Sequence, residues 1–232
     1  MSAEGFDNNL LCPSFKPTKA FQRIVDGLEY AQSVGAPLAL VTGAHGAGKT
    51  TAFRYYAQHK GAVMWECLPS YHEKYLMRDL VRHLGISAGM GWQVQTSIVT
   101  ERLKANPRTF LLDEGQRLSY AGMDLLKYLA DASGSTFALS ASPSLERRID
   151  RWPDISSRCT VRVRVDALDS EEFLKLYQAE GFTTEAVLEL HHRCGGVMRV
   201  LQTLLQKIDA QPTARGDLTP AHIRLIAEGV SG

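Results

Sequence analysis

The octet Gly43-Ala44-His45-Gly46-Ala47-Gly48-Lys49-Thr50 constrains this chain more than any other segment. It matches G-x-x-x-x-G-K-[ST] in full, and its surroundings give the match physical meaning. LALVTG (38–43) is a short, continuous apolar run ending in glycine, the pattern of a strand buried on both faces of a parallel sheet. From Lys49 to Lys60 the sequence reads as helix. Such a loop curls backbone N–H groups around a phosphate chain, and the helix that follows directs its positive end at the same anion. Gly43, Ala44, His45, Gly46, Ala47, Gly48, Lys49, Thr50 and Thr51 are therefore the expected phosphate cradle. Lys49 is expected to reach the outer phosphates, and the Thr50 hydroxyl to ligate Mg²⁺.

Other segments place this loop in a fold. AVMWECL (62–68), TFLLDE (109–114), FALSAS (137–142) and TVRVRV (160–165) read as further strands, the last alternating like a half-exposed edge. Helical patterns fall at about 18–33, with Thr18 as cap and Phe21, Ile24, Val25, Leu28 and Tyr30 recurring at helical spacing. Others fall at 72–85, with Tyr75, Leu76, Leu80, Val81 and Leu84 on the apolar side, at 94–104, and over MDLLKYLADAS. Strands alternating with helices imply a right-handed parallel α/β sheet. After Asp169 come three amphipathic helices, SEEFLKLYQAEG, TEAVLELHHRCG and VMRVLQTLLQKIDA, with a fourth expected over LTPAHIRLIAEG. The expected organisation is a flexible arm over 1–16, an α/β domain over 17–167 on a five-stranded parallel sheet flanked by helices, and a small all-helical lid over 168–232.

Composition narrows the partners. With 44% hydrophobic and 22% charged residues over 232 positions, the chain has the make-up of a soluble globular protein. Lys and Arg number 26 against 25 for Asp and Glu, a net charge of +1, so any nucleic-acid surface must be a local patch. Cys12, Cys67, Cys159 and Cys194 form no C-x-x-C pair and have no His at ligand spacing, which fits reduced thiols in a cytoplasmic protein. The polar opening, with Pro13 and Pro17, does not read as a signal peptide. No apolar run approaches the roughly 20 residues that cross a bilayer.

The groups that carry chemistry cluster at strand ends. Asp113 and Glu114 close the apolar run TFLLDE, where an aspartate can hold the Mg²⁺ shell and a neighbouring glutamate can orient and deprotonate water. Ser140 and Ser142 end the next strand, and Ser142 is the preferred group to hydrogen-bond the γ-phosphate or the lytic water. Arg147, Arg148, Arg151 and Arg158 crowd the segment that follows. A guanidinium inserted into a neighbouring subunit's site can neutralise developing phosphoryl charge, and Arg158 is the preferred finger. Arg199 opens a helix of the lid, from which a cation can touch the nucleotide.

GAHGAGKTTA, TFLLDEGQRLS, FALSASPSL, SSRC and CGGVMRVL occur in an order and spacing that resembles the AAA+ transposition ATPases of the MuB/TnsC type, over about residues 17–210. The phosphate-loop and acidic motifs point only to the P-loop AAA+ superfamily. The closer likeness rests on LPSYHEKYLMRDLVRHLG, the DEGQRLS extension, the short ASPSL loop and the compact helical lid. The resemblance implies ATP and Mg²⁺ as cofactors and ATP hydrolysis. It implies Lys49, Thr50, Asp113 and Glu114 as phosphate, magnesium and catalytic groups, Ser142 as first sensor, Arg158 as the finger in trans and Arg199 as second sensor. Thr18 and its neighbours would lie near the adenine. It further implies assembly as a homo-oligomeric ring or helical filament on double-stranded DNA, handed to a transposase as target. The amino-terminal helix-turn-helix region of MuB has no counterpart in the short opening arm, so DNA binding is expected to be largely sequence-independent.

For the DNA contacts, the segment after the second strand offers Tyr71, His72, Lys74, Arg78 and Arg82, with Lys104 and Arg117 as further candidates. Lys74, Arg78 and Arg82 also have the i, i+4, i+8 spacing of any solvated helical stripe. Three other functions fit parts of the pattern: a helicase loader or replication-associated ATPase, a small-molecule kinase, and an ATP-dependent signalling switch. A DE pair on the third strand and a helical appendage after the sheet speak against the kinase.

Overall fold

The computed structural model describes residues 16–87 and 89–229. The arm expected over 1–16 therefore lies outside the described residues except for Lys16. Five strands, β1 (Leu38–Gly43), β2 (Val63–Glu66), β3 (Thr109–Asp113), β4 (Thr136–Ala141) and β5 (Cys159–Val165), form one sheet in the order β2-β3-β4-β1-β5. Every pairing is parallel.

Alternation along the central strands sorts side chains to two cores. Leu38 and Leu40 of β1, Phe110 and Leu112 of β3, and Phe137 and Leu139 of β4 face one side. There they meet α3 (Glu73–His83), α4 (Trp92–Ala105) and α5 (Tyr120–Ser133). Phe110 and Phe137 stack with centroids 5.0 Å apart. Ala39, Val41, Leu111 and Ala138 face the other side, against α1 (Lys19–Ser33) and α2 (Lys49–Lys60). Each large apolar side chain buried this way contributes about 1.5–3 kcal/mol, which offsets the entropy of ordering the strands. β5 is the edge next to β1, with Thr160 and Arg164 exposed, as its alternation predicts.

Local signals explain the helix ends. The Thr18 hydroxyl caps α1 by accepting from the Phe21 N–H at 3.1 Å, and the Ser119 hydroxyl caps α5 through the Gly122 N–H at 3.1 Å. Two aromatic residues differ from expectation. Tyr30 is 59% and Tyr75 38% exposed, because each falls off the buried stripe of its helix. On α1 that stripe is Phe21, Ile24, Val25, Leu28 and Ala31; Tyr30 lies two residues past Leu28, more than halfway round the helix. Two short helices after β4, α6 (Pro143–Ile149) and α7 (Pro153–Ser156), were not separated in the sequence.

Beyond β5 the chain is helical: α8 (Ser170–Tyr177), α9 (Thr184–Cys194), α10 (Met198–Asp209) and α11 (Pro220–Glu228). They enclose an apolar cluster of their own that includes Phe173, Val187, Leu190, Leu201, Leu204 and Ile223. Cys67, Cys159 and Cys194 are free and buried. Among the described residues, no helix is long and apolar enough to cross a membrane.

Candidate nucleotide site

The loop after β1 lies at the carboxyl end of the sheet, beside the point where the strand order reverses and ligands of open α/β folds collect. Its glycines are required by contact as well as by conformation. A Cβ at Gly43 would collide with the Val165 carbonyl oxygen of β5. Gly46 has φ +78°, and a Cβ there would lie 2.6 Å from Val197 Cγ1. The Met198 N–H, at the start of α10, donates to the Gly46 carbonyl at 3.3 Å. The helical bundle thus rests directly on the phosphate loop.

A cavity of about 260 Å³ is lined by His45, Gly46, Gly48, Lys49, Thr50 and Thr51 of the loop, by Asp113, Glu114 and Gln116 after β3, by Ser140 and Ser142 after β4, and by Arg199 of α10. Lys49 Nζ donates to the carbonyls of Gly43 and Ala44, each at 2.8 Å. Burial holds the Lys49 ammonium below the usual lysine range; Asp113 and Glu114 pull it back up, and Arg199 pushes it further down. An ammonium stripped of water in this way gains more from an anion than a solvated one does.

Asp113 is 5% exposed. Its Oδ2 accepts from the Thr50 hydroxyl at 2.7 Å, and its Oδ1 from the Glu114 N–H at 3.0 Å. Two hard oxygens, on Thr50 and Asp113, therefore converge beside the phosphate loop. That donor set fits Mg²⁺, which prefers one or two protein oxygens completed by phosphate and water. Among the described residues no group of three or more His, Cys, Asp or Glu side chains is placed to hold a metal by itself.

Glu114 stands in the left-handed region with φ 56°, a conformation that costs on the order of 1 kcal/mol for a residue with a Cβ. Its Oε2 accepts from Gln116 Nε2 at 2.5 Å and lies 3.6 Å from Arg117 Nη2. The two serines differ. Ser140 is 1% exposed and its hydroxyl has no hydrogen-bond partner among the described residues, whereas the Ser142 hydroxyl is shared with Ser144 at 2.7 Å. A buried, unsatisfied hydroxyl facing a polar cavity is the stronger candidate for a ligand or water contact.

A second cavity, about 720 Å³, shares Gly48, Thr51, Arg54, Met198 and Gln202 with the first and is lined by Thr18, Phe21, Ala47 and Tyr177. Its size suits a nucleoside, and Thr18 is part of its wall.

Other expected groups fall elsewhere. Arg158 is not among the residues lining the cavity; its Nε binds both oxygens of Asp131 at 2.9 Å on the α5 side. Arg148 points inward, donating to the carbonyls of Gln116 at 2.8 Å and Leu118 at 3.3 Å, and so is not the exposed arginine that the cluster suggested. Arg147 and Arg151 are exposed and make no ion pair among the described residues. Tyr71 must be corrected as a nucleic-acid contact: it is 0% exposed, with its hydroxyl donating to Asp79 and accepting from Trp65 Nε1. Arg117 is half-buried and already paired, donating to Glu66 Oε1 at 2.8 Å and to the Cys67 carbonyl at 2.7 Å. Lys74, Arg78 and Arg82 are exposed along α3, with Arg78 beside Asp79 at 3.2 Å and over the Tyr75 ring. The His72 ring stacks on Tyr75. Lys104 is exposed on α4 and pairs with Glu101 at 3.1 Å.

Gln116, Arg54 and Gln202 line the cavity without having been singled out in the sequence. Gln116 lies only two residues past Glu114, so a polar residue so near the acid was the available signal. Glu146 of α6 was also missed. Buried beneath the site, it accepts from the Thr42 hydroxyl at 3.2 Å and from Arg164 at 2.9 Å.

The AAA domain family matches residues 32–149. No curated protein sequence matches the chain. Among solved structures, Cdc6p from Pyrobaculum aerophilum is similar with a TM-score of 0.72 at 16% identity, over 97% of this chain and 71% of that one. The Aeropyrum pernix ORC1 protein in complex with DNA is similar with a TM-score of 0.61 at 14% identity, over 94% of this chain and 66% of that one. A Walker-type ATPase of Pyrococcus abyssi gives a TM-score of 0.61 at 13% identity, over 94% of this chain and 72% of that one. At such identities these likenesses speak for the fold alone, a five-stranded parallel P-loop sheet flanked by helices. The phosphate loop, the acidic strand end and the matched segment agree: the chain belongs to the AAA domain family.

Proposed function

We propose that the chain is an Mg²⁺-dependent ATP hydrolase that assembles on double-stranded DNA under the control of its bound nucleotide. The observation that carries this reading is the convergence of Lys49, the Thr50–Asp113 pair and Glu114 on one cavity that opens into a nucleoside-sized one. In this reading residues 17–167 form the ATPase domain and 168–232 the lid. The loop from Gly43 to Thr51 cradles the phosphates, and Lys49 neutralises the outer ones. Thr50 and Asp113 hold Mg²⁺, whose charge offsets that of the triphosphate. Glu114 takes a proton from the attacking water, and Ser140, with Ser142 beside it, orients that water or the γ-phosphate. Arg199 meets the phosphates from α10. Arg158 serves a neighbouring copy after exchanging Asp131 for phosphoryl charge.

Two finer readings share this core. The sequence likeness to the MuB/TnsC type supports a regulator of transposition that selects target DNA and recruits a transposase. The likeness in fold to Cdc6p and to an ORC1 protein in complex with DNA favours, as the second reading, a helicase loader or replication-associated ATPase. Electron microscopy of the protein with duplex DNA tests the shared core. Rings or filaments are expected with ATP or a slowly hydrolysed analogue and not with ADP. Absence of any assembly at low salt would remove the DNA reading. A preference for single strands over duplex would favour replication over transposition.

A further inference from the structure

The side chain of Gln116 joins two strand ends that the phosphate cavity separates. Its Nε2 donates to Glu114 Oε2 at 2.5 Å, after β3, and its Oε1 accepts from the Ser142 N–H at 3.2 Å, after β4. All three residues line the cavity. A carboxamide suits this bridge because donor and acceptor share one rigid plane. A carboxylate there would repel Glu114, and an aliphatic chain would leave the Ser142 N–H without that acceptor. The backbone of Gln116 is fixed as well, since Arg148 Nη2 donates to its carbonyl at 2.8 Å. The Arg148 guanidinium lies over the Trp152 ring, which partly buries it.

We propose that Gln116 is a positioning residue that aims the Glu114 carboxylate and ties that aim to the end of β4. The inference rests on the reading of Glu114 as the group that takes the proton of water. With Oε2 held by Gln116, and more distantly by Arg117, Oε1 is the oxygen left to receive that proton. The bridge also makes the aim sensitive to the cavity wall: a shift of Ser142 as phosphate is bound or lost is passed through one side chain to Glu114. Misplacing a reacting group by about 1 Å can lower a rate by about 100-fold, so a short tether can matter without touching the nucleotide.

The test is steady-state phosphate release by the full chain with MgATP and duplex DNA, for wild type, Gln116→Met, Gln116→Glu and Glu114→Gln, with thermal melting of each. Gln116→Met keeps length and volume but removes both the donor to Glu114 and the acceptor for the Ser142 N–H. It is expected to lower kcat by about 10- to 100-fold, with KM for ATP within about twofold of wild type and unchanged melting. Gln116→Glu, which keeps the acceptor and adds repulsion, is expected to be at least as slow. A kcat within about twofold of wild type in Gln116→Met, or a raised KM at constant kcat, overturns the proposal. Loss of folding in Gln116→Met also counts against it, by making the residue a structural one. Glu114→Gln separates the two levels. If it is inactive while Gln116→Met is normal, only the bridge falls; if it hydrolyses ATP at the wild-type rate, the reading of Glu114 falls and the bridge with it.

Discussion

The phosphate cavity and the basic face of α3 carry the two halves of the proposed function, and they are built in opposite ways. In the cavity the groups assigned to the chemistry are held by other protein atoms: Lys49 by two carbonyls, Asp113 by Thr50 and a backbone N–H, Glu114 by Gln116. On α3, Lys74 and Arg82 are exposed and make no ion pair among the described residues. Chemistry on a phosphoryl group demands fixed geometry, because preorganised dipoles need no rearrangement as the reaction proceeds. Holding a uniformly charged polyanion demands only mobile cations within reach.

The contrast can be broken or sharpened by measurement. The largest effect is expected from Glu114→Gln, which should lower ATP turnover by about 10²- to 10⁴-fold while calorimetric affinity for MgATP stays within a few-fold. Near-normal turnover would mean that the fixed cavity does not work as described. Lys49→Ala should weaken MgATP binding by about 2–3 kcal/mol and abolish nucleotide-dependent assembly, because it removes a desolvated ammonium from the phosphates. Unaltered affinity in calorimetry would sink that role.

Glu146 tests whether the rigidity extends below the cavity. Hydrogen bonding from Arg164 holds its carboxyl below the usual carboxylate range, with Thr42 and Arg162 adding to the effect against the opposing pull of burial. A depressed folded-state value means stabilisation that is present at neutral pH and is lost as pH falls through that range. Glu146→Gln should cost on the order of 2 kcal/mol at neutral pH and flatten the acid side of the melting curve. An unchanged acid limb would show that the pair adds nothing. The smallest effect belongs to α3. Lys74→Ala with Arg82→Ala should reduce the salt slope of duplex binding by about 1–2 and leave MgATP affinity alone. No change in slope would move the DNA surface elsewhere.

The same contrast governs what could be read in advance. The loop from Gly43 to Thr50 and the strand ending in Asp113 were legible because backbone chemistry leaves few substitutes for those glycines and for an apolar run between helices. Helix α1 followed from its Thr18 cap and its apolar stripe. Groups whose meaning depends on tertiary neighbours were not legible. Tyr71 looks like an exposed aromatic until Trp65 and Asp79 close around its hydroxyl. Arg117 and Arg148 look like surface cations until Arg117 reaches the Cys67 carbonyl after β2 and Arg148 the Gln116 carbonyl after β3. Ser140 and Ser142 occupy the same kind of position in the sequence, and only burial separates the unpartnered hydroxyl from the one shared with Ser144.

The central place of β1 has a consequence for biosynthesis. Its two neighbours are β4 and β5, both encoded far downstream of it, so a nascent chain displays an apolar strand with two open edges while the intervening hundred or so residues are made. At about 5–20 residues per second that exposure lasts roughly 5–20 s. Over that interval LALVTG is open to pairing with any other strand, and cellular holdases should engage the ribosome-bound chain before residue 136 emerges.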